Sequence, residues 1–245
     1  MDTGDLYCTH CRSHAIITQH YSGQKLCREH FIVDLEAKAK REIRRNLWLR
    51  SGDRIGVALD GGPASAALLT LMMKITEKRS DIELYAIYID EEGKDSRRIA
   101  EAIAAAARVS ILVMKREAGR KMNENLAECA SGAGITTIAC GKNLDEEAEA
   151  VFKAFVSGDI DSLSSVCEPG KIRWIYPLET IPAAELWLYA ALHYDGVTFH
   201  HEEKEEFSQK IQAVLGAYTA RHPSTLYAVY HIGRRIRSCI SDTKQ

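Results

Sequence analysis

The chain has almost no net charge: 32 Lys and Arg against 34 Asp and Glu leave a formal charge of −2 over 245 residues. That excludes a protein that holds nucleic acid through its overall field, so any such contact must be a local basic patch. No apolar run approaches the roughly 20 residues a membrane helix needs. The N-terminus lacks the pattern of a secretory signal, so a cytoplasmic protein without membrane contact is expected. Low-complexity tracts are absent too. Seven cysteines are present, but their spacing is not that of a secreted disulfide framework, and a reducing compartment fits them better. Four of them, Cys129, Cys140, Cys167 and Cys239, form no pair and read as small buried side chains.

The other three belong to a pattern. Cys8 and Cys11 form C-x2-C, and after about fifteen residues Cys27 and His30 form C-x2-H. Such pairs turn two side chains each onto one ion, and four protein ligands leave no open position. A structural zinc site on Cys8, Cys11, Cys27 and His30 is the expectation, with Gly23 at a turn between the pairs.

Beyond it, Ile32, Leu35, Ala39, Ile43 and Leu47 recur on one face of a helix whose opposite face carries Lys38, Arg41, Arg44 and Arg45. Ser51-Gly52-Asp53 ends it. Strands are then expected at 54–59, 82–90, 109–115 and 135–140, alternating with helices at 64–76, 96–108, 122–130 and 145–156. The alternation implies an α/β domain with a doubly wound parallel sheet covered by helices on both faces. The expected organisation is a zinc module over 1–31, a basic linker helix over 32–52, the α/β domain over 53–196 and a helical region over 197–245.

Such sheets bind ligands beyond the carboxyl ends of their strands. The first strand ends at Asp60-Gly61-Gly62-Pro63-Ala64-Ser65, where two glycines let backbone amides approach an anion and the next helix adds its N-terminal amides. Pro63 is tolerated there because the first helical amides have no intrahelical partner. On residues alone, an anion loop and a plain tight turn remain equally open.

The zinc pattern, this loop, the run Gly141-Lys142-Asn143-Leu144-Asp145-Glu146-Glu147-Ala148, then Pro177-Leu178, Glu185 and Pro223-Ser224-Thr225-Leu226-Tyr227 occur in one order. In this the chain resembles the PP-loop tRNA-thiolation family, the TtuA-type 2-thiolation proteins, over nearly its whole length. The resemblance implies a PP-loop fold and ATP with magnesium on the loop. It also implies adenylation of a uridine oxygen in tRNA, then replacement of that oxygen by sulfur. A sulfur carrier delivers the sulfur, often through an iron–sulfur cluster on three cysteines. Carried over residue by residue, the nucleotide site would use Asp60, Gly61, Gly62, Ser65, Gly141, Asn143 and Asp145, and tRNA would meet basic clusters including Arg41, Arg44, Arg45, Arg234 and Arg235.

The departures are specific. The family loop is Ser-Gly-Gly-Lys-Asp-Ser; here Asp60 replaces the first Ser, Pro63 the Lys and Ala64 the Asp. A phosphate-binding cation and a metal partner are lost, and a negative charge is added where a triphosphate would lie. The segment 120–134 holds Cys129 alone instead of C-x2-C, and His200-His201 stands where a third cysteine is expected. An iron–sulfur cluster is therefore not expected, and His200 and His201 read as solvated surface. Three readings remain: a non-catalytic partner subunit or tRNA scaffold, paired with a catalytic thiolation paralogue or a ubiquitin-like sulfur carrier; an active tRNA uridine 2-sulfurtransferase with a modified loop; and a zinc-bearing nucleotide-sensing module.

Overall fold

The computed structural model describes residues 7–91, 96–159, 172–199 and 205–243. The first strands among the described residues form a short antiparallel hairpin, β1 (Ile17–Gln19) and β2 (Gln24–Leu26), turned at Gly23, whose φ of 70° suits glycine. Helix α1 (Arg28–Arg45) follows at once, with Cys27 as its N-cap residue. It starts four residues before the periodicity places it. Its buried face is Phe31, Leu35, Ala39, Glu42 and Ile43, whereas Leu47 lies beyond the helix, 78% exposed at φ 51°. The helix is not a free linker, because these apolar side chains join the main core.

The central sheet is parallel, with strands β3 (Arg54–Leu59), β4 (Glu83–Asp90), β5 (Ser110–Lys115), β6 (Thr137–Ala139) and β7 (Arg173–Ile175) in the order β5-β4-β3-β6-β7. Strand β4 alternates as a sheet buried on both faces requires: Ala86 and Tyr88 join one core, Ile87 and Ile89 the other. Helices α2 (Pro63–Thr76), α3 (Ser96–Ala106) and α6 (Ala183–His193) cover the first face; α4 (Met122–Gly132) covers the second. Helices α5 (Leu144–Ser157), α7 (Glu206–Arg221) and α8 (Thr225–Thr243) pack together beside the sheet.

Gly56 in β3 is dictated by packing: a Cβ there would lie 2.4 Å from Ile87 Cδ1. The chain runs outward from β3 through β4 to β5, then returns to place β6 on the other side of β3. The strand order therefore reverses between β3 and β6, and a crevice opens beyond their carboxyl ends. Among the described residues no helix is long and apolar enough to cross a membrane.

Candidate functional site

The ligand atoms of Cys8, Cys11, Cys27 and His30 all lie within 4.8 Å of one another. His30 Nδ1 is 3.5, 3.5 and 3.2 Å from the sulfurs of Cys8, Cys11 and Cys27, and the Cys11 and Cys27 sulfurs are 3.7 Å apart. A tetrahedral ion with bonds of about 2.0–2.3 Å separates its ligands by roughly 3.3–3.8 Å, so the group is sized and charged for one metal ion. Cys27 and His30 come from the first turn of α1, which ties the centre to the core.

A polar lock joins this module to α6. Tyr21 donates to Glu185 Oε1 at 2.5 Å, and Gln19 and Lys38 reach Oε2 at 3.2 Å each. Glu185 is 2% exposed, so its charge depends on these partners. Burial and Glu185 together push the Tyr21 hydroxyl far above its ordinary range. Lys38, expected on the solvent face of α1, instead turns inward to Glu185 and Tyr21. Sequence reasoning missed Tyr21; no local pattern links it to a residue 164 positions away.

The hairpin also forms one wall of a cavity of about 1330 Å³ lined by the ends of β3 and β6. Asp60, Gly62, Ser65, Gly141, Asn143 and Asp145, all expected at a nucleotide site, line it together. Gly61 adopts φ 82°, which brings the loop against Ser96; a Cβ there would lie 3.1 Å from the Ser96 carbonyl. Gly141 lets the β6–α5 loop approach the start of α2, since its Cβ would lie 3.1 Å from the Ser65 amide nitrogen.

The loop is closed on itself. The Gly62 amide donates to Asp60 Oδ1 at 2.7 Å, and the Ser65 hydroxyl donates to the same oxygen at 2.5 Å. One carboxylate oxygen thus takes up an amide and a hydroxyl that would otherwise face an anion. Asn143 caps α5 by accepting from the Glu146 amide at 3.0 Å, and Glu146 returns the bond to complete a capping box. Asp145 accepts from the Ala183 amide at 2.7 Å and so caps α6. Glu147, read with them as part of an acidic helix start, is buried and held by Lys142 and Arg237. Burial pushes its carboxyl up, but these two cations outweigh it and hold it below the usual range. Cys140 also lines the cavity; burial, reinforced by Asp60 and opposed by Lys142, pushes its thiol up to about 12. It is a neutral thiol near pH 7, unsuited to nucleophilic attack. Cys129 is half-buried and Cys239 exposed.

The arginines of α1 and α8 meet. Arg45 and Arg234 share Glu42, at 3.7 and 3.3 Å. Arg41, Arg44, Arg45 and Arg235 are exposed, while Arg234 is half-buried against Glu42, Glu179 and the Tyr230 ring. Arg234 is therefore engaged inside the fold, and of the others Arg45 shares its partner Glu42. Cys167, His200 and His201 lie outside the described residues.

Comparison with known proteins follows this geometry. Residues 7–32 match the model of the 2-thiouridine synthetase TtuA N-terminal LIM domain. The chain is 25% identical to the tRNA 2-thiolation protein NcsA of Haloferax volcanii, over 91% of this chain and 84% of that one. It is 25% identical to the tRNA-5-methyluridine(54) 2-sulfurtransferase of Thermus thermophilus, over 81% of this chain and 69% of that one. Its fold matches the U34-tRNA thiolase NcsA of Methanococcus maripaludis with a TM-score of 0.84 at 21% identity, covering 95% of this chain and 87% of that one. Together these likenesses support a TtuA-type PP-loop tRNA 2-thiolation family for this chain.

One expectation is corrected. The sequence predicts no iron–sulfur cluster, because 120–134 holds Cys129 alone, His200-His201 stands where a third cysteine is expected, and Cys8, Cys11 and Cys27 are assigned to zinc. The M. maripaludis NcsA carries a [4Fe-4S] cluster, and this chain has a cysteine-rich cluster of its own. Thiolates are ligands for iron–sulfur clusters as well as for zinc, so spacing elsewhere does not exclude iron.

Proposed function

We propose that this family member serves tRNA 2-thiolation in the cytoplasm as a tRNA-holding partner of a catalytic subunit, and that it does not itself adenylate tRNA. The observation that carries the reading is the Asp60 carboxylate, bonded to the Gly62 amide and the Ser65 hydroxyl. Adenylation needs the loop amides and cations aimed at phosphate oxygens as charge moves between them. Here the amide and hydroxyl are engaged, Pro63 and Ala64 supply neither a cation nor a metal ligand, and Asp60 adds repulsion. A phosphate charge about 4 Å from Asp60 would be opposed by up to about 4 kcal/mol before solvent screening. The Cys140 thiol, held neutral, adds no sulfur nucleophile.

Exposed Arg41, Arg44 and Arg45 of α1 and Arg235 of α8 supply the local positive charge that RNA phosphates require in a chain without net positive charge. Cys8, Cys11, Cys27 and His30 would hold a metal ion such as zinc, which would tie the residues before the hairpin to the start of α1. The active-enzyme reading draws on the names of the relatives, which are sulfurtransferases and thiolation proteins.

The test is tRNA binding by filter retention together with pyrophosphate release from ATP and magnesium, both on the full chain. Retained tRNA without pyrophosphate above background is the expected result. Pyrophosphate release that depends on tRNA, from this chain alone, would establish the active enzyme and overturn the proposal. Metal analysis of the same preparation is expected to return about one zinc per chain; iron in its place would reject the zinc assignment.

A further inference from the structure

Asp60 does more than occupy a loop: it sets which ligands the cavity can take. Both of its loop bonds use Oδ1, which leaves Oδ2 to accept a bond from a ligand. An ionised carboxylate only accepts hydrogen bonds, and so do phosphate oxygens, so the two cannot satisfy each other. A ligand hydroxyl or amino group can. Lys142, the lysine of the cavity wall, is already paired with buried Glu147. Much of the remaining wall suits a flat apolar ring: Tyr88, Ile89, Leu126 and Tyr227 offer aliphatic and aromatic surface at a strand-order reversal of the parallel sheet. Gln212 donates its amide to Glu149 and Thr219 its hydroxyl to the Leu215 carbonyl, so what they offer a base edge are acceptor oxygens.

We propose that the cavity binds an uncharged nucleoside, with a sugar hydroxyl donating to Asp60 Oδ2, and discriminates against nucleotides that would place phosphates at the start of α2. The nucleoside is either free or part of an RNA whose phosphates stay outside the cavity. This inference rests on the reading of the loop given above, and it deepens that reading by naming the ligand class.

The experiment is calorimetric titration of the full, metal-loaded chain with adenosine, with uridine and with ATP plus magnesium. Asp60→Ser and Asp60→Asn are titrated alongside, and thermal unfolding establishes that each is folded. Asn keeps an acceptor for the Gly62 amide, so it guards against a variant that fails to fold. Losing a hydrogen bond to a charged group corresponds to about ten- to hundredfold in affinity. The wild type is expected to bind a nucleoside at least about tenfold tighter than ATP with magnesium, and both substitutions are expected to remove that preference. ATP binding as tight as both nucleosides, no nucleoside binding at millimolar concentration, or an unchanged preference in the variants would each overturn the proposal. A tRNA that competes with the bound nucleoside assigns the ligand to RNA, and one that does not assigns it to a free nucleoside. Retained tRNA without nucleoside binding sinks this inference and leaves the partner reading standing. Nucleoside binding without retained tRNA does the reverse.

Discussion

Gly233 sits in the middle of α8, where an ordinary glycine weakens the helix. Replacing it by alanine in an exposed helix would stabilise by about 1 kcal/mol. Here the added Cβ would lie 2.3 Å from Val151 Cγ2 and 3.3 Å from Cγ1, on the buried face of α5. Valine is stiff about its first side-chain torsion, so it cannot swing clear and the helices must part. Overpacking of this kind costs about 1–3 kcal/mol, which outweighs the propensity gain. Gly233→Ala should therefore destabilise by up to about 2 kcal/mol, or lower the midpoint by roughly 2–4 °C per kcal/mol. Val151→Ala alone should cost roughly 1.5–3 kcal/mol through lost burial and a cavity. In that background Gly233→Ala has room, and its sign should reverse to a gain of about 1 kcal/mol. Urea unfolding of the four proteins measures the coupling directly. A Gly233→Ala that stabilises the wild-type background by the full propensity gain would refute the close approach of α5 and α8.

The remaining expectations concern the site and its supports. Chelation of the metal should release the hairpin wall of the cavity and lower the unfolding midpoint; protection of the Ile16 and Gly23 amides from hydrogen exchange, bonded to the Leu26 and Gln19 carbonyls, should fall with it, and unchanged protection would sever the metal from the cavity. Tyr21→Phe and Glu185→Gln should show a coupling of about 1–3 kcal/mol in a double-mutant cycle, since each removes one side of a buried bond; simple additivity would show the lock to be idle. Glu147 has a folded pKa below its unfolded value, so its contribution is present above the unfolded pKa of about 4.3 and is lost as pH falls through the folded value. The acid limb of stability should therefore flatten in Glu147→Gln, and an unaltered limb would contradict the pairing with Lys142 and Arg237. Arg44→Ala should weaken tRNA binding and reduce its salt slope by about 1, if Arg44 meets one phosphate.

Much was legible because it is local. The gathering of Cys8, Cys11, Cys27 and His30 is read from their spacing, since each pair lies on one turn of chain. Strand 54–59 and the helix after it follow from an apolar run, two glycines and a proline suited to the first helical turn. Strand β7 and the hairpin were not read from pattern, because three residues are too few to display a period. The periodicity starts α1 too late because its first turn, after Cys27 at the N-cap position, carries polar Arg28, Glu29 and His30, which apolar periodicity does not report.

The acidic run after Gly141 divides along the same line. Sequence marks Asp145, Glu146 and Glu147 as a helix start, and Glu146 does complete that cap. Asp145 and Glu147 go elsewhere, to the Ala183 amide and to Arg237, because the start of α6 and the flank of α8 happen to lie there. Likewise Lys38 looks solvated on its helix and is drawn inward by Glu185, 147 residues away. The sequence by itself determined the Cys and His spacing of the N-terminal cluster, the α/β alternation and the altered loop, all of which depend on neighbours within a few turns. Only the tertiary structure decided that Asp60 turns back onto Gly62 and Ser65, that the hairpin walls the cavity, and that Arg45 of α1 and Arg234 of α8 share Glu42. Those outcomes depend on where a buried charge finds its partner, and desolvation forces that partner to be found across the fold rather than along the chain.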